Sequence, residues 1–279
     1  MKTICRPIAF ILVVCLLTPD AAFAATLQPQ TLRAWEIYAQ LTEKRIAAEL
    51  NGSAGFLVAD FLSPAEKTKV ASTLKSGKVY VLKMRTADAN RKDIDVPDGL
   101  IHHWFGAIFV PGVTVSSLIR AIQDYDHHTR YFKEVEQSKL LSRDGDTFKI
   151  FLRLMRKKVV TVHYNTDHTV VYRAHDNSRV SSRSFTTKIA EVDDVGSASE
   201  KEKPVGVDSG YFWRLNSYWR FKEQDGGVIV ECESISLSRS IPFGFAWLIK
   251  GFVESVPRES FESTMLQIRD GVAASIRKQ

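Results

Sequence analysis

Cysteine is scarce in this chain. Its 279 residues include three cysteines, and two of them, Cys5 and Cys15, fall within the first fifteen positions. If that leading stretch is removed, Cys232 alone remains and no internal disulfide can form, so the fold depends on its core. Long apolar runs are missing too. The longest, Ile8–Leu17, is too short for the roughly 20 residues that cross a bilayer. There is no glycine-rich phosphate loop, no nucleophile elbow and no zinc-type spacing, so the sequence gives no footing to the enzyme classes that those motifs mark. Internal repeats are absent, which excludes a solenoid. Charge is nearly balanced: the formal net value is +6, spread along the chain. That is weak support for nucleic-acid binding, and no nucleic-acid partner, cofactor or metal is expected.

An ordinary globular composition is present, 44% hydrophobic and 25% charged. The start is different. Lys2 and Arg6 precede the apolar run, and Ala22-Phe23-Ala24 is a small-x-small site. The pattern predicts a secretory signal peptide over 1–24, cut after Ala24, and export to the periplasm or beyond. Its removal takes away Lys2, Arg6 and Asp20, leaving a net charge of about +5.

Periodicity then divides the rest. Pro29–Leu50 carries an apolar stripe at helical spacing, ended by Asn51-Gly52. Ser63, Pro64 and Glu66 predict the start of a second helix, and Lys78–Arg85 alternates as a strand. Thr86–Gly99 is polar and is expected to be a linker, so 25–99 forms an N-terminal, mainly helical extension. From Leu100 onward strands dominate. Ile101–Val110 is a strand, Thr114–Asp124 a helix, and Tyr125–Phe132 a short helix or turn. Val135–Ser142, Thr147–Lys157, Val159–Asn165, His168–His175 and Ser181–Val192 are strands, with a turn at Thr166-Asp167. Asp193–Gly210 lacks periodicity and is expected to be a flexible loop, placed at a cavity mouth. Tyr211–Glu223 and Val228–Leu237 alternate around the turn Gln224-Asp225-Gly226-Gly227, each with one dry and one wet face. Phe261, Met265, Ile268, Val272 and Ile276 then define an amphipathic helix, with a break expected near Val256 because of Pro257. Hairpin-length connections imply an antiparallel sheet closed by one long helix, an α+β architecture.

Three stretches carry a resemblance. WFGAIFVPGVTVSSLIRAIQDYDHHTRYF, FWRLNSYWRF and VECESISLSRSIPFG, with the last helix, resemble the START-like, or SRPBCC, superfamily of lipid-transfer domains and polyketide cyclases over 100–279. The resemblance implies a helix-grip fold, in which a curved antiparallel sheet wraps on a long C-terminal helix. It also implies an apolar cavity that binds a lipid or other hydrophobic small molecule, usually without catalysis. A cyclase- or hydrolase-like enzyme using the same cavity, and an envelope interaction protein without ligand, stay open as alternatives.

The residues expected to line the cavity are Trp104, Tyr164, Tyr172, Trp213, Ser217, Trp219, Phe221 and Cys232 on strands. Trp247, Phe261 and Met265 join them from the closing helical region. His102 and His103 are adjacent on a strand and must point to opposite faces, so they cannot share a metal. Asp124 and His128 have a metal-compatible spacing, but with Asp126 and His127 they also read as a helix end with its capping charges. Cys232 could pair with a histidine as a nucleophile, though nothing in the sequence marks its activation. Arg153, Arg156, Lys157 and Lys158, with Arg179 and Arg183, could form a basic rim for transient contact with a membrane surface.

Overall fold

The computed structural model describes residues 25–157, 161–240 and 258–276. The predicted signal peptide, Trp247 and the expected break near Val256 lie outside the described residues.

Strand β1 (Ala25–Thr26) leads into helix α1 (Pro29–Asn51), which starts on Pro29 and buries Ala34, Trp35, Tyr38, Ala39, Thr42 and Ile46 on one stripe. A short 3₁₀ turn (Val58–Phe61) follows. Helix α2 (Pro64–Lys75) has the predicted cap, Ser63 Oγ accepting from the Glu66 N–H at 3.3 Å. Strands β2 (Tyr80–Lys83) and β3 (Gly99–Pro111), helix α3 (Val115–Ile122) and a 3₁₀ turn (Tyr125–Arg130) come next. Then follow β4 (Val135–Asp144), β5 (Thr147–Lys157), β6 (Thr161–Ala174) and β7 (Arg179–Asp193). Two short strands, β8 (Lys201–Glu202) and β9 (Val207–Asp208), precede β10 (Arg214–Gln224) and β11 (Gly227–Arg239). Helix α4 spans 258–276 and carries a π turn at Ile268–Val272.

One antiparallel sheet runs in the order β2-β3-β11-β10-β7-β6-β5-β4, with β8 added on β7. Strand β3, first in its helix-grip series, pairs with β11, the last, and the others follow back to β4. This is the expected α+β helix-grip order. The β10–β11 hairpin needs positive φ at both central turn residues, and Asp225 (φ 53°) and Gly226 (φ 74°) supply it.

The sheet has an inner and an outer face. Met265, Ile268, Val272 and Ala273 of α4 pack on the inner face against Ile108, Val110, Phe148, Tyr172, Phe221 and Val230, with Leu118 of α3 closing the end. Gln267 fixes the helix laterally. Its Oε1 accepts from the Lys133 N–H at 2.5 Å, and its Nε2 donates to Glu134 at 3.0 Å. On the outer face α1 covers Tyr218, Ile235 and Leu237, while α2 covers Phe105 and Ala107. The extension also adds β2 as an edge strand beside β3. At the other edge β4 is largely exposed and carries Glu136, Lys139, Arg143 and Asp144, charges that discourage edge-to-edge pairing.

Three expectations are corrected. Thr166-Asp167 is not a turn: β6 is continuous, and the irregularity is a bulge at Thr187 on the facing strand. Thr166 is fully buried, and its hydroxyl donates to the Leu152 carbonyl at 3.0 Å, so the strand gains a partner it would lose in a turn. Asp193–Gly210 is not an open flexible loop. Strand β8 pairs with β7, β9 pairs with β1, and the buried Glu191 carboxylate accepts from Lys203 Nζ at 2.6 Å and Ser209 Oγ at 2.8 Å. Finally, the polar faces of β10 and β11 are not wet. Arg220, Glu231 and Glu233 are at most 1% exposed, because the N-terminal extension lies over them.

Candidate functional site: the inner face of the sheet

Antiparallel register places residues of successive strands in rows across the inner face. One row runs Gly106, Cys232, Trp219, Ser182, Tyr172. The next runs Trp104, Ser234, Ser217, Ser184, Val170, Phe148. Beyond the first row, toward Ile108 and Val230, the face is apolar and sealed by α4. The second row and its far side are different. Ser184, Ser217, Ser234, Ser236 and Trp104 are all only half-buried. A serine hydroxyl on a strand face neither fills volume nor finds a ladder partner, so such a row is an uneconomical core and a reasonable wall for something polar.

Hydrogen bonding sharpens this. Trp219 Nε1 donates to Ser217 Oγ at 3.2 Å. Trp104 Nε1, in the same row and beside Ser234, is buried and has no partner among the described residues. An indole N–H can only donate, and leaving it unpaired costs about 1–3 kcal/mol. Next to the row lies His168, paired with Thr186 in register and bonded through Nε2 to Thr166 Oγ1 at 2.9 Å. Burial pushes its pKa down to about 4, so the imidazole is neutral at pH 7. His168 was not a sequence candidate. Its even-numbered place on the inner face of β6 is visible only once β6 is continuous.

The expected cavity residues separate into groups. Trp104, Ser217, Trp219, Phe221, Cys232 and Tyr172 share the inner face, and Phe261 and Met265 reach it from α4. Tyr172 already has a partner: its hydroxyl meets that of Tyr125 at 2.8 Å, and burial pushes it up to about 12. Cys232 is 1% exposed, and burial, then the Glu233 carboxylate, push the thiol well up, the reverse of activation. Tyr164 sits at the end of the sheet, opposite Glu191 and edge-on to Phe212, with its hydroxyl buried and unpartnered among the described residues. Trp213 does not join the inner face. It precedes β10 and packs with Trp35, Ile235 and Leu237 under α1, because its indole N–H donates to Asp208 Oδ1 at 3.0 Å.

The remaining candidates disperse. His102 bonds to Ser238 on the inner side, whereas His103 lies on the outer side between Tyr38 and Glu233, so the pair does face opposite ways. His127 takes Asp124 at 2.8 Å, and His128 turns inward to the Ile122 carbonyl at 2.7 Å, so Asp124 and His128 do not converge. Arg153 pairs with Glu200, Arg156 with Glu134, Arg179 with Asp176 and Arg183 with Glu43. Lys157 is exposed and Lys158 lies outside the described residues.

What the sequence did not suggest is a buried charge network on the outer face. Arg220 donates to Glu49 and to the Phe56 carbonyl, and Arg45 bridges Glu49 and Glu233. His103 Nε2 meets Glu233 at 2.7 Å, and its Nδ1 meets Tyr38 Oη at 2.8 Å. Tyr38 Oη also accepts from the Thr86 N–H at 2.8 Å, while Glu233 Oε2 is buried without a hydrogen-bond partner among the described residues. Glu231 accepts from the Val58 and Ala59 N–H groups, and burial still pushes it up to about 8. A groove of about 320 Å³ also opens on this side, between α1 and strands β7 and β10, with Trp35, Ala39 and Phe185 in its walls.

Similar solved structures include a STAR-related lipid transfer protein from Xanthomonas axonopodis, 15% identical over 63% of this chain and 96% of that one, TM-score 0.42. The Zhui aromatase/cyclase from a Streptomyces species is 9% identical over 64% and 95%, TM-score 0.40. The human StarD13 lipid transfer and protein localization domain is 9% identical over 75% and 96%, TM-score 0.41. With the strand order and the gripping helix on the page, the fold is plain. The strand order and the closing helix are those of an α+β helix-grip fold. No protein-family model matches this chain, and no curated protein matches it in sequence.

Proposed function

We propose that this protein is exported and carries a lipid or other hydrophobic small molecule, non-catalytically, against the inner face of its sheet. One observation carries the reading. An apolar floor sealed by α4 gives way to a half-buried row of serines in which the Trp104 N–H is buried and unpaired among the described residues. A molecule with an apolar body and a hydrogen-bond acceptor would satisfy both parts. Its apolar surface gains roughly 25 cal/mol per Å² removed from water, and its acceptor meets the indole.

Native mass spectrometry of the protein purified from an exporting host tests this, with binding of a fluorescent fatty-acyl probe as the second measurement. A co-purified amphiphile is expected, and Trp104→Phe should weaken its retention about tenfold, the equivalent of one buried hydrogen bond. If nothing co-purifies and no apolar probe binds, the reading is wrong. Fractionation of the host checks export separately.

A further inference from the structure

The corner where the chain enters the fold holds an incomplete ion pair. Among the described residues strand β1 pairs with β9 alone, in the register Ala25 with Asp208 and Thr26 with Val207. Leu27 N–H donates to the Gly206 carbonyl at 2.7 Å. By the alternation of an antiparallel pair, the main chains of Ala25 and Asp208, two residues along, also face each other as a hydrogen-bonding pair. Ala25 is therefore held against Asp208 by its backbone.

Asp208 is 3% exposed. Its Oδ1 accepts from the Gly210 N–H at 2.6 Å and from Trp213 Nε1 at 3.0 Å. Its Oδ2 is buried with no hydrogen-bond partner, and the side chain makes no ion pair among the described residues. The charged groups around it do not supply one. Lys203 is taken by Glu191 at 2.6 Å and by Asp193 at 3.2 Å. Glu191 repels Asp208, and Tyr164, facing from β6, is neutral because burial and these same carboxylates push it well up. Burial, then Glu191, raise Asp208 itself. A buried carboxylate left in this state costs stability unless a cation arrives or it stays protonated.

Arg239 of β11 also reaches this corner, but its guanidinium lies over the Tyr211 ring at 5.5 Å, whereas Ala25 is paired in register with Asp208 itself. Cleavage after Ala24, which the proposal of export assumes, makes Ala25 the first residue and turns its nitrogen into an ammonium group. We propose that the α-ammonium group of processed Ala25 is the missing partner of Asp208, so that removal of the leader completes the corner of the fold. The unprocessed chain has an uncharged peptide N–H at the same position and cannot make the pair. The leader's removal then adds stability, coupling export to final folding.

The test uses the full sequence expressed in an exporting host, with the first residue of the purified protein read by mass spectrometry. The rate of α-amine acylation is then followed against pH. Acylation of Ala25 at pH 7 is expected to be roughly tenfold or more slower than in Asp208→Asn, since an opposite charge at close range holds an amine protonated. A second variant has one glycine inserted between Ala24 and Ala25, which moves the ammonium group one residue away and leaves every folded side chain in place. It should show ordinary amine reactivity and a lower melting temperature. The sign follows from linkage. An amine raised by its partner contributes stability in full below its unfolded value of about 8, and loses it as pH rises through the folded value. The melting difference should therefore vanish above about pH 10. A first residue other than Ala25 overturns the processing step. Ala25 at the terminus with ordinary reactivity, unchanged by either variant, overturns the pair while leaving processing intact.

Discussion

Gly106 lies directly under Phe261 of the closing helix, and substituting it reports on how that helix is seated. The residue lies mid-strand in β3, in register with Cys232 and Val81. A Cβ placed on it would fall well inside contact distance of Phe261 Cε1 on α4, and at 3.2 Å from both Phe261 Cζ and the Tyr80 carbonyl. Carbon atoms normally meet at about 3.5–4.0 Å, so the ring must move by roughly 1 Å or rotate away. Retreat toward β2 is blocked by backbone. Gly106→Ala gains about 0.5–1 kcal/mol from reduced backbone freedom, but overpacking costs about 1–3 kcal/mol. The expected net effect is a loss of about 1–2 kcal/mol. Removing the ring should relieve it. In Gly106→Ala/Phe261→Ala the methyl group enters space the ring has left, so the two losses should fall short of additivity by at least about 1 kcal/mol. Urea unfolding of the four proteins of this cycle measures the term directly. Strictly additive losses, or a neutral Gly106→Ala, would show that α4 does not rest on β3 at this point.

Other outcomes follow from the outer face. Arg220→Met removes a buried guanidinium and leaves Glu49 to Arg45 alone, so unfolding midpoints should report a loss of about 1.5–3 kcal/mol, that of a hydrogen bond to a charged group; a loss under 1 kcal/mol refutes its role in docking α1. Glu231, raised by burial to about 8, titrates in the unfolded chain near 4.3, so the unfolded state binds fewer protons between those values. Its share of the stability must then decline as pH rises from about 5 to 8, by up to about 1.4 kcal/mol per pH unit. Glu231→Gln should flatten that part of the pH profile, and an unchanged slope in melting experiments refutes the assignment. Asp193–Gly210 is tied down through Glu191, so Glu191→Ala should raise amide exchange over Lys201–Asp208 while leaving β5 protected. Equal exchange in both proteins would mean that the segment holds without this carboxylate.

Much of the fold was legible because a strand's period of two and a helix's stripe survive without tertiary information. The α1 stripe, the Ser63 cap, the Asp225-Gly226 turn and the inner-face set of Trp219, Phe221, Val228, Val230 and Cys232 are local signals, and each appears where the pattern puts it. The misreadings share a cause. Thr166-Asp167 looked like a turn because both residues are polar, and polarity alone does not say that a neighbouring strand will accept the Thr166 hydroxyl. The 193–210 segment looked loose because two-residue strands have no period to detect. Trp213 was assigned by extending alternation one residue beyond the strand, into a bend where alternation no longer applies.

The outer face illustrates the limit best. Arg220, Glu231 and Glu233 alternate with apolar residues as a solvent face should, and nothing within β10 or β11 says otherwise. Their burial is decided some 170–190 residues away, by Arg45, Glu49 and the Val58–Ala59 amides. Desolvating such charges costs several kcal/mol per ion, so a sequence that buries them must supply partners elsewhere, at fixed positions. Apart from His103, which meets Glu233, the partners named here are in 25–99, the part that lies outside the START-like resemblance. An apolar interface would tolerate sliding of α1 along the sheet, whereas Arg45 can bridge Glu49 and Glu233 in one register only. The extension is thereby fixed to one face of the sheet, and the apolar inner face with its serine row is left for α4 and whatever that helix encloses.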